Sequence, residues 1–280
     1  MSELTPPHPA RLHVLMARDA STAVVIRRGP TRHTAFVAWD RARDRFELGQ
    51  WLYGRVYERR SDLSPDGRHL VYFAMNGRWD ARVRGSWTAV SRAPYLKALT
   101  LLSKGDGWHG GGLFTSSREL WINDGYGHAV LEDASGIART AAYPWHEGYG
   151  GECPGVYYVR LQRDGWTMRE TARDEARNEV TTFERRVNDH WKLRKLAHAT
   201  LKRRIGRGCY FDEHQLHNAR TGETVPYPDW EWADVDGDRL VWAEGGRLHA
   251  GRVERKGLVN RRELFDFNPM VFERREAPYD

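Results

Sequence analysis

The sequence predicts an all-β fold in a closed arrangement, and three observations carry that prediction. Short runs of alternating polar and apolar residues recur along most of the 280 positions. Turns rich in Gly, Pro and Asp separate these runs. No amphipathic helices alternate with them, as a doubly wound or barrel arrangement of helices and strands would require.

Taken in order, residues 22–51 offer strands at 23–26, 35–39 and 45–48, punctuated by Gly29-Pro30 and by the polar stretch 40–44. The clearest unit is RSDLSPDGRHLVYFAM at 60–75, a polar-apolar strand, a Pro-Asp-Gly turn and an apolar strand at 69–74. Pro65 presets φ at the first turn position, and Gly67 supplies a positive φ where a tight turn needs one. GGGLFTSSRELWIN at 110–123 is a weaker copy with Ser116-Ser117 at the turn. Strands are expected over 180–187, 191–198, 208–214 and 224–227. WADVDGDRLVWAEGGRLHAGRV at 232–253 repeats the hairpin scheme, with Asp236-Gly237 at one turn and Gly245-Gly246 opening a third strand. The best helical candidate, ETARDEARNEV at 170–180, has good helix formers and no apolar stripe to dock, so it reads as a charged loop.

First strands are expected to start near Leu12, Arg60, Gly110, Trp166 and Trp232. The intervals exceed the ~40–45 residues of a compact propeller blade and leave room for loops. This predicts a single β-propeller of five blades over residues 12–280, after a flexible N-terminal tail at 1–11. Six blades is the alternative, because 166–229 is long enough to hold a further partial blade. Closure would use either the strand near Leu12 or the tail at 265–279, which is alternating and aromatic at Phe265 and Phe267. SPDGRHLVYFA at 64–74 resembles the SPDG-type repeat of TolB-like and WD40-like bacterial propellers, and VDGDRLVWAEGGRLHAGRV at 235–253 resembles the same repeat. The resemblance covers two units and implies the propeller fold, with no particular activity attached.

Composition excludes several classes. With 40% hydrophobic residues the chain is not a disordered one, and no stretch approaches the ~18–20 apolar residues of a membrane span. Residues 1–10 hold Glu3 and three prolines where a secretory signal would be basic and apolar, so the chain reads as cytoplasmic; that it is bacterial in type is what the resemblance to the SPDG-repeat propellers implies. Cys153 and Cys209 stand alone, without a CxxC partner for a zinc site or a disulfide framework. Six of the 44 basic residues are lysine; the rest are arginine, a bias that a GC-rich genome produces without functional cause. A net charge of +6 supports weak anion attraction more than dedicated nucleic-acid binding.

Twelve tryptophans are the unusual feature, and about eight are expected to fill the space between blades, each contributing roughly 2–3 kcal/mol by burial. Two segments, GDGWHGGG at 105–112 and WHEGYGGECPG at 145–155, pair Trp-His with a glycine run. Glycines let backbone approach a ligand, and Trp-His offers a stacking face and a titratable group. Trp108, His109, Trp145 and His146 are therefore the expected ligand-binding residues. The competing reading makes the histidines hydrogen-bonded framework residues and the glycines a packing requirement. Neither segment matches a phosphate loop.

Asp212 to His217 invites a metal reading, but His214 and His217 would face opposite sides of a strand, so no metal and no cofactor is expected. No GxSxG occurs, and no catalytic residue is assigned. Asp19, Asp62, Asp124, Glu170 and Asp234 lie near expected strand ends and would serve a propeller glycosidase. Six Arg-Arg pairs occur, at 27/28, 59/60, 185/186, 203/204, 261/262 and 274/275, and on a strand each pair splits between faces. Lys202, Arg203 and Arg204, with Arg207, form the one compact basic cluster and the candidate anion site. The expected function is a binding scaffold for a protein partner or a small molecule. A glycosidase or lectin-like carbohydrate binder and an anion or nucleic-acid binder are the alternatives; a nucleic-acid partner is not favoured, and no membrane association is expected.

Overall fold

The computed structural model describes residues 8–29, 32–125, 127–149, 152–173, 175, 178–200 and 208–279. The first sheet runs in chain order through β1 (Arg11–Met16), β2 (Thr22–Arg28), β3 (His33–Asp40) and β4 (Arg45–Tyr53). In the second sheet, β5 (Arg55–Val56) and β6 (Asp62–Leu63) both pair with β7 (His69–Met75), which continues into β8 (Ser86–Arg92) and β9 (Ala98–Ser103). The third opens with β10 (Gly112–Ser116) and β11 (Glu119–Ile122). The chain then returns to the second sheet as β12 (Ala129–Asp133), antiparallel to β9, before β13 (Ala138–Thr140) joins β11 in parallel. After one helix, α1 (Pro154–Arg163), the fourth sheet runs β14 (Thr167–Arg173), β15 (Glu179–Arg186), β16 (Trp191–Ala199), β17 (Tyr210–Asn218) and β18 (Thr224–Tyr227). The fifth comprises β19 (Trp230–Asp236), β20 (Arg239–Glu244), β21 (Arg247–Glu254) and β22 (Gly257–Asp266). These five sheets make the fold a five-bladed β-propeller.

The SPDG unit shows why local sequence specifies this fold. Ser64 Oγ donates to Asp66 Oδ1 at 2.6 Å and accepts from the His69 amide at 2.9 Å, while Asp66 Oδ1 accepts from the Arg68 amide. Gly67 takes φ +72°, where a side chain would crowd Thr22, and its amide closes the turn on the Ser64 carbonyl. The register Leu63 to Leu70 and Asp62 to Val71 follows. Leu63, Leu70, Tyr72 and Ala74 then enter a core shared with Val24, Ile26 and Phe36 of the first sheet.

Three expectations are corrected. Residues 170–173 end β14 and 179–180 open β15, so most of the stretch read as a charged loop is paired strand; β14 is an exposed edge and carries no apolar alternation to announce it. The helix falls instead at Pro154–Arg163, with Pro154 at its first turn and Val156, Tyr157 and Val159 buried. The tail pairs as a strand only through Asp266, although Phe267 is fully buried. Seven tryptophans are buried, at 39, 87, 166, 191, 230, 232 and 242, against about eight expected.

The chain divides into two compact units, one of Leu161–Pro269 with the residues up to Leu12, the other of His13–Arg160 with the residues from Met270. In the first unit the chain is already held at Ala10, whose amide donates to Asn268 Oδ1 at 2.9 Å. Among the described residues no helix is long and apolar enough to cross a membrane.

Candidate functional site

Strand registers in the His13–Arg160 unit bring several loops to one end. Met75 pairs with Ser86, Trp87 with Ser103, and Ser103 with Ala129. The connections 76–85, 104–111 and 123–128 therefore leave the second sheet at the same end. Arg55 pairs with Met75, and His33 with Tyr53, so the close of β4 arrives there as well. Arg84 packs on Gly105, and Ser103 Oγ donates to the Val83 carbonyl at 3.0 Å, which joins the first two loops.

Among the described residues six large apolar side chains are exposed: Tyr53, Trp79, Trp108, Val130, Val271 and Phe272. All but Val271 are placed at this end by strand register or ring contact. Trp79 and Trp108 lie in the first two loops, and Val130 is the second residue of β12. Phe272 packs on His33 at 5.5 Å and on Trp51 at 6.1 Å, beside Tyr53.

Below the loops lies Arg60, 1% exposed and sandwiched between the rings of Tyr57 at 4.7 Å and Phe73 at 5.2 Å. Its guanidinium donates to the carbonyls of Gly107 (2.9 Å) and His109, to the Glu152 carboxylate and to Cys153 Sγ (3.5 Å). One buried cation thus holds both of the Trp-His-Gly segments. Asn123 adds a second clasp, donating through Nδ2 to the carbonyls of Gly110 and Glu152, each at 3.2 Å. The glycine run is needed for this approach: a Cβ at Gly110 would overlap the Phe73 ring, and one at Gly111 the Arg60 carbonyl. The Gly110 amide donates to the Asn123 carbonyl and the Gly111 amide to Thr88 Oγ1, so neither is left to cradle an anion. Burial raises the Cys153 thiol above its ordinary value, which leaves it a weak nucleophile.

Beside the 104–111 loop opens a cleft of about 480 Å³, lined among others by Trp121, Asp124, His128, Arg139 and Thr140. His128 Nδ1 lies 2.6 Å from Asp124 Oδ1, and Nε2 lies 3.0 Å from Thr88 Oγ1. The carboxylate fixes the proton on Nδ1, which leaves Nε2 to accept from the Thr88 hydroxyl. That chain has the connectivity of a hydrolase triad, yet Thr88 is wholly buried and out of reach of a substrate carbonyl. Its effect is to fix the imidazole at the wall of the cleft. Desolvation lowers the His128 pKa, against the pull of Asp124, so the ring is neutral at physiological pH.

The residues expected to bind ligand part company here. Trp108 is 62% exposed, its amide held by Asp106 Oδ1 at 2.8 Å. His109 takes φ +57°, with Nδ1 3.4 Å from Asn123 Oδ1, and packs against Gly125 of the cleft wall. Trp145 and His146 face each other at 4.8 Å, and Trp145 packs with Trp121, Tyr143 and Tyr149 against Leu113, Val156 and Val159, in the position of a framework aromatic. Lys202, Arg203, Arg204 and Arg207 lie outside the described residues. Sequence reasoning did not find Asp124 and His128 as a pair or Arg60 as the clasp; the four-residue spacing of the first and the two glycine segments around the second were the available signals.

Two other sequence candidates, Asp62 and Asp234, hold the framework. Asp62 accepts from the buried Phe114 amide at 2.8 Å, and Asp234 from Arg185 (2.5 Å) and the Trp166 indole (3.3 Å). Asp19 and Glu170 are exposed. His214 is buried, its Nδ1 3.0 Å from the Trp230 carbonyl, whereas His217 meets Thr224 on the opposite face of β17. Among the described residues no three His, Cys, Asp or Glu side chains gather as metal ligands. The Arg185-Arg186 pair splits as strand geometry requires, Arg185 to Asp234 and Arg186 to Asp189.

The site and sheets together define a β-propeller with one aromatic, loop-built end. No protein-family model matches the chain, and no curated protein matches it. Among solved structures, hydrazine synthase of Kuenenia stuttgartiensis is similar at a TM-score of 0.34 and 9% identity, over 93% of this chain and 88% of that one. A likeness at that level carries no argument about activity.

Proposed function

We propose that this chain is a binding scaffold of the SPDG-repeat type, working in the bacterial cytoplasm, which receives its partner or ligand on the loop end of the His13–Arg160 unit. One observation carries the reading: among the described residues five of the six exposed large apolar side chains, Tyr53, Trp79, Trp108, Val130 and Phe272, lie at that end. Exposed indole and phenyl rings on neighbouring loops offer stacking faces that suit a binding surface. Trp108 and His109 are the sequence candidates that belong to it, joined by Trp79 and by Asp124 and His128 of the cleft. Trp145 packs into the apolar cluster around Leu113, Val156 and Val159, and His146 beside it is exposed.

The test is retention from native cell extract at low and moderate salt by the wild-type chain and by the double variant Trp79→Ala with Trp108→Ala. Both indoles are more than half exposed, so the variant is expected to fold and to lose what the wild type holds. Equal retention by the two proteins would rule this end out as the binding surface.

A further inference from the structure

The physical character of the loop end narrows the ligand. Its largest exposed groups are aromatic, and they stand apart on separate loops among charged neighbours: Arg78, Asp80, Arg82 and Arg84 around Trp79, and Asp106 beside Trp108. A protein partner that buries a continuous apolar core would meet charges between the rings. An indole face instead suits a flat, C–H-rich ligand whose rim is polar. Trp79 is seated flat on Gly85, where a Cβ would overlap its ring, so that ring has a fixed orientation.

The cleft supplies the complementary polar set. Asp124 gives one carboxylate oxygen to His128 and keeps a second as an acceptor on a side chain 54% exposed. Arg139, held by Asp133 at 2.8 Å, brings donors, and Thr140 a hydroxyl. Trp121 contributes an aromatic wall, braced edge-on by Tyr143 at 4.9 Å. Acceptor, donor and aromatic face around one volume of about 480 Å³ match a polyhydroxylated ring. Gly125 in the cleft wall touches His109, the neighbour of Trp108, so the cleft and the exposed indole adjoin.

We infer that the cleft and the tryptophans beside it form a carbohydrate site, with one pyranose ring in the cleft against Trp121 and the chain continuing outward over Trp108 toward Trp79. This rests on the binding reading above and specifies its ligand class. Asp124 and Arg139 would hydrogen-bond the ring hydroxyls, and His128, fixed by Thr88, holds Asp124 in place.

The experiment passes native extract over the immobilised chain after treatment with periodate, which cleaves vicinal diols, or with protease. In parallel, calorimetry measures cello-, xylo-, manno- and maltohexaose and a single-stranded DNA oligonucleotide. The expected result is retention abolished by periodate and unaffected by protease. At least one hexaose should bind, about tenfold or more weaker for Trp108→Ala and for Asp124→Asn. The control Arg252→Ala, in an exposed ion pair with Asp238, should bind as wild type does. Retention destroyed by protease but lost in Trp108→Ala would overturn the carbohydrate inference and leave the binding surface standing. Binding indifferent to Trp79 and Trp108 would overturn both. Oligonucleotide binding that weakens steeply with salt, or no binding of any hexaose together with no periodate-sensitive retention, would also overturn the inference.

Discussion

Arg60 shows how much rests on a single side chain. It is buried between two rings, satisfied by two carbonyls, a carboxylate and a thiol, and it joins segments that lie far apart in the chain. Removing it takes its cation from Glu152 and one donor each from the carbonyls of Gly107 and His109. Arg60→Met should cost about 3–5 kcal/mol in denaturant unfolding, and Arg60→Lys should not restore it, because one ammonium cannot span the fork. Glu184 is the corresponding residue in the other unit. Burial works to raise its pKa, but hydrogen bonds from Arg194 (2.7 Å), Lys192 (3.0 Å) and Arg169 (2.8 Å) prevail and hold the carboxyl at about 2. A depressed folded pKa stabilises above the unfolded value and is lost as pH falls through the folded one. Stability should therefore decline between about pH 4.5 and pH 2. Glu184→Gln should flatten part of that decline and cost about 1–2 kcal/mol at neutral pH, since its partners are partly exposed and screened.

At the scale of elements, hairpins carry their own instructions. In 64–69 the turn residues satisfy one another, and Ser64→Ala removes both a bond to Asp66 and the acceptor for the His69 amide. A loss of about 1–2 kcal/mol in thermal or denaturant unfolding is expected, with register and fold kept. This local completeness is why β7, β18 and the β19–β21 hairpins were legible in the sequence, to within a residue or two. Helix α1 was not legible, because what stabilises it is distant. Arg160 of the helix donates to the carbonyls of Glu58 and Ser61 and meets His13 Nε2 at 2.8 Å, and Arg59 lies over the Tyr157 ring at 4.6 Å. Nor could periodicity announce that β12 leaves its neighbours to pair with β9. The cleft exists because of that excursion, since Leu102 and Val130 line one side and Trp121 and Arg139 the other. The site was thus half legible: composition marked Trp108 and His109, and Asp124 stood among the candidate carboxylates, while His128 and Trp79 join them only through strand register.

At the scale of the whole molecule, the five sheets give a β-propeller, and its His13–Arg160 unit concentrates exposed aromatic groups at one end. The glycine runs that drew attention in the sequence hold the framework beneath that surface rather than forming it. The most direct measurement is hydrogen-deuterium exchange of the full chain, free and loaded with the fraction it retains from extract. Protection is expected in 76–85, 104–111 and 123–128, with little change in β14–β22. Protection confined to β14–β22, or a bound chain whose three loops exchange as fast as in the free one, would contradict a binding surface at this end.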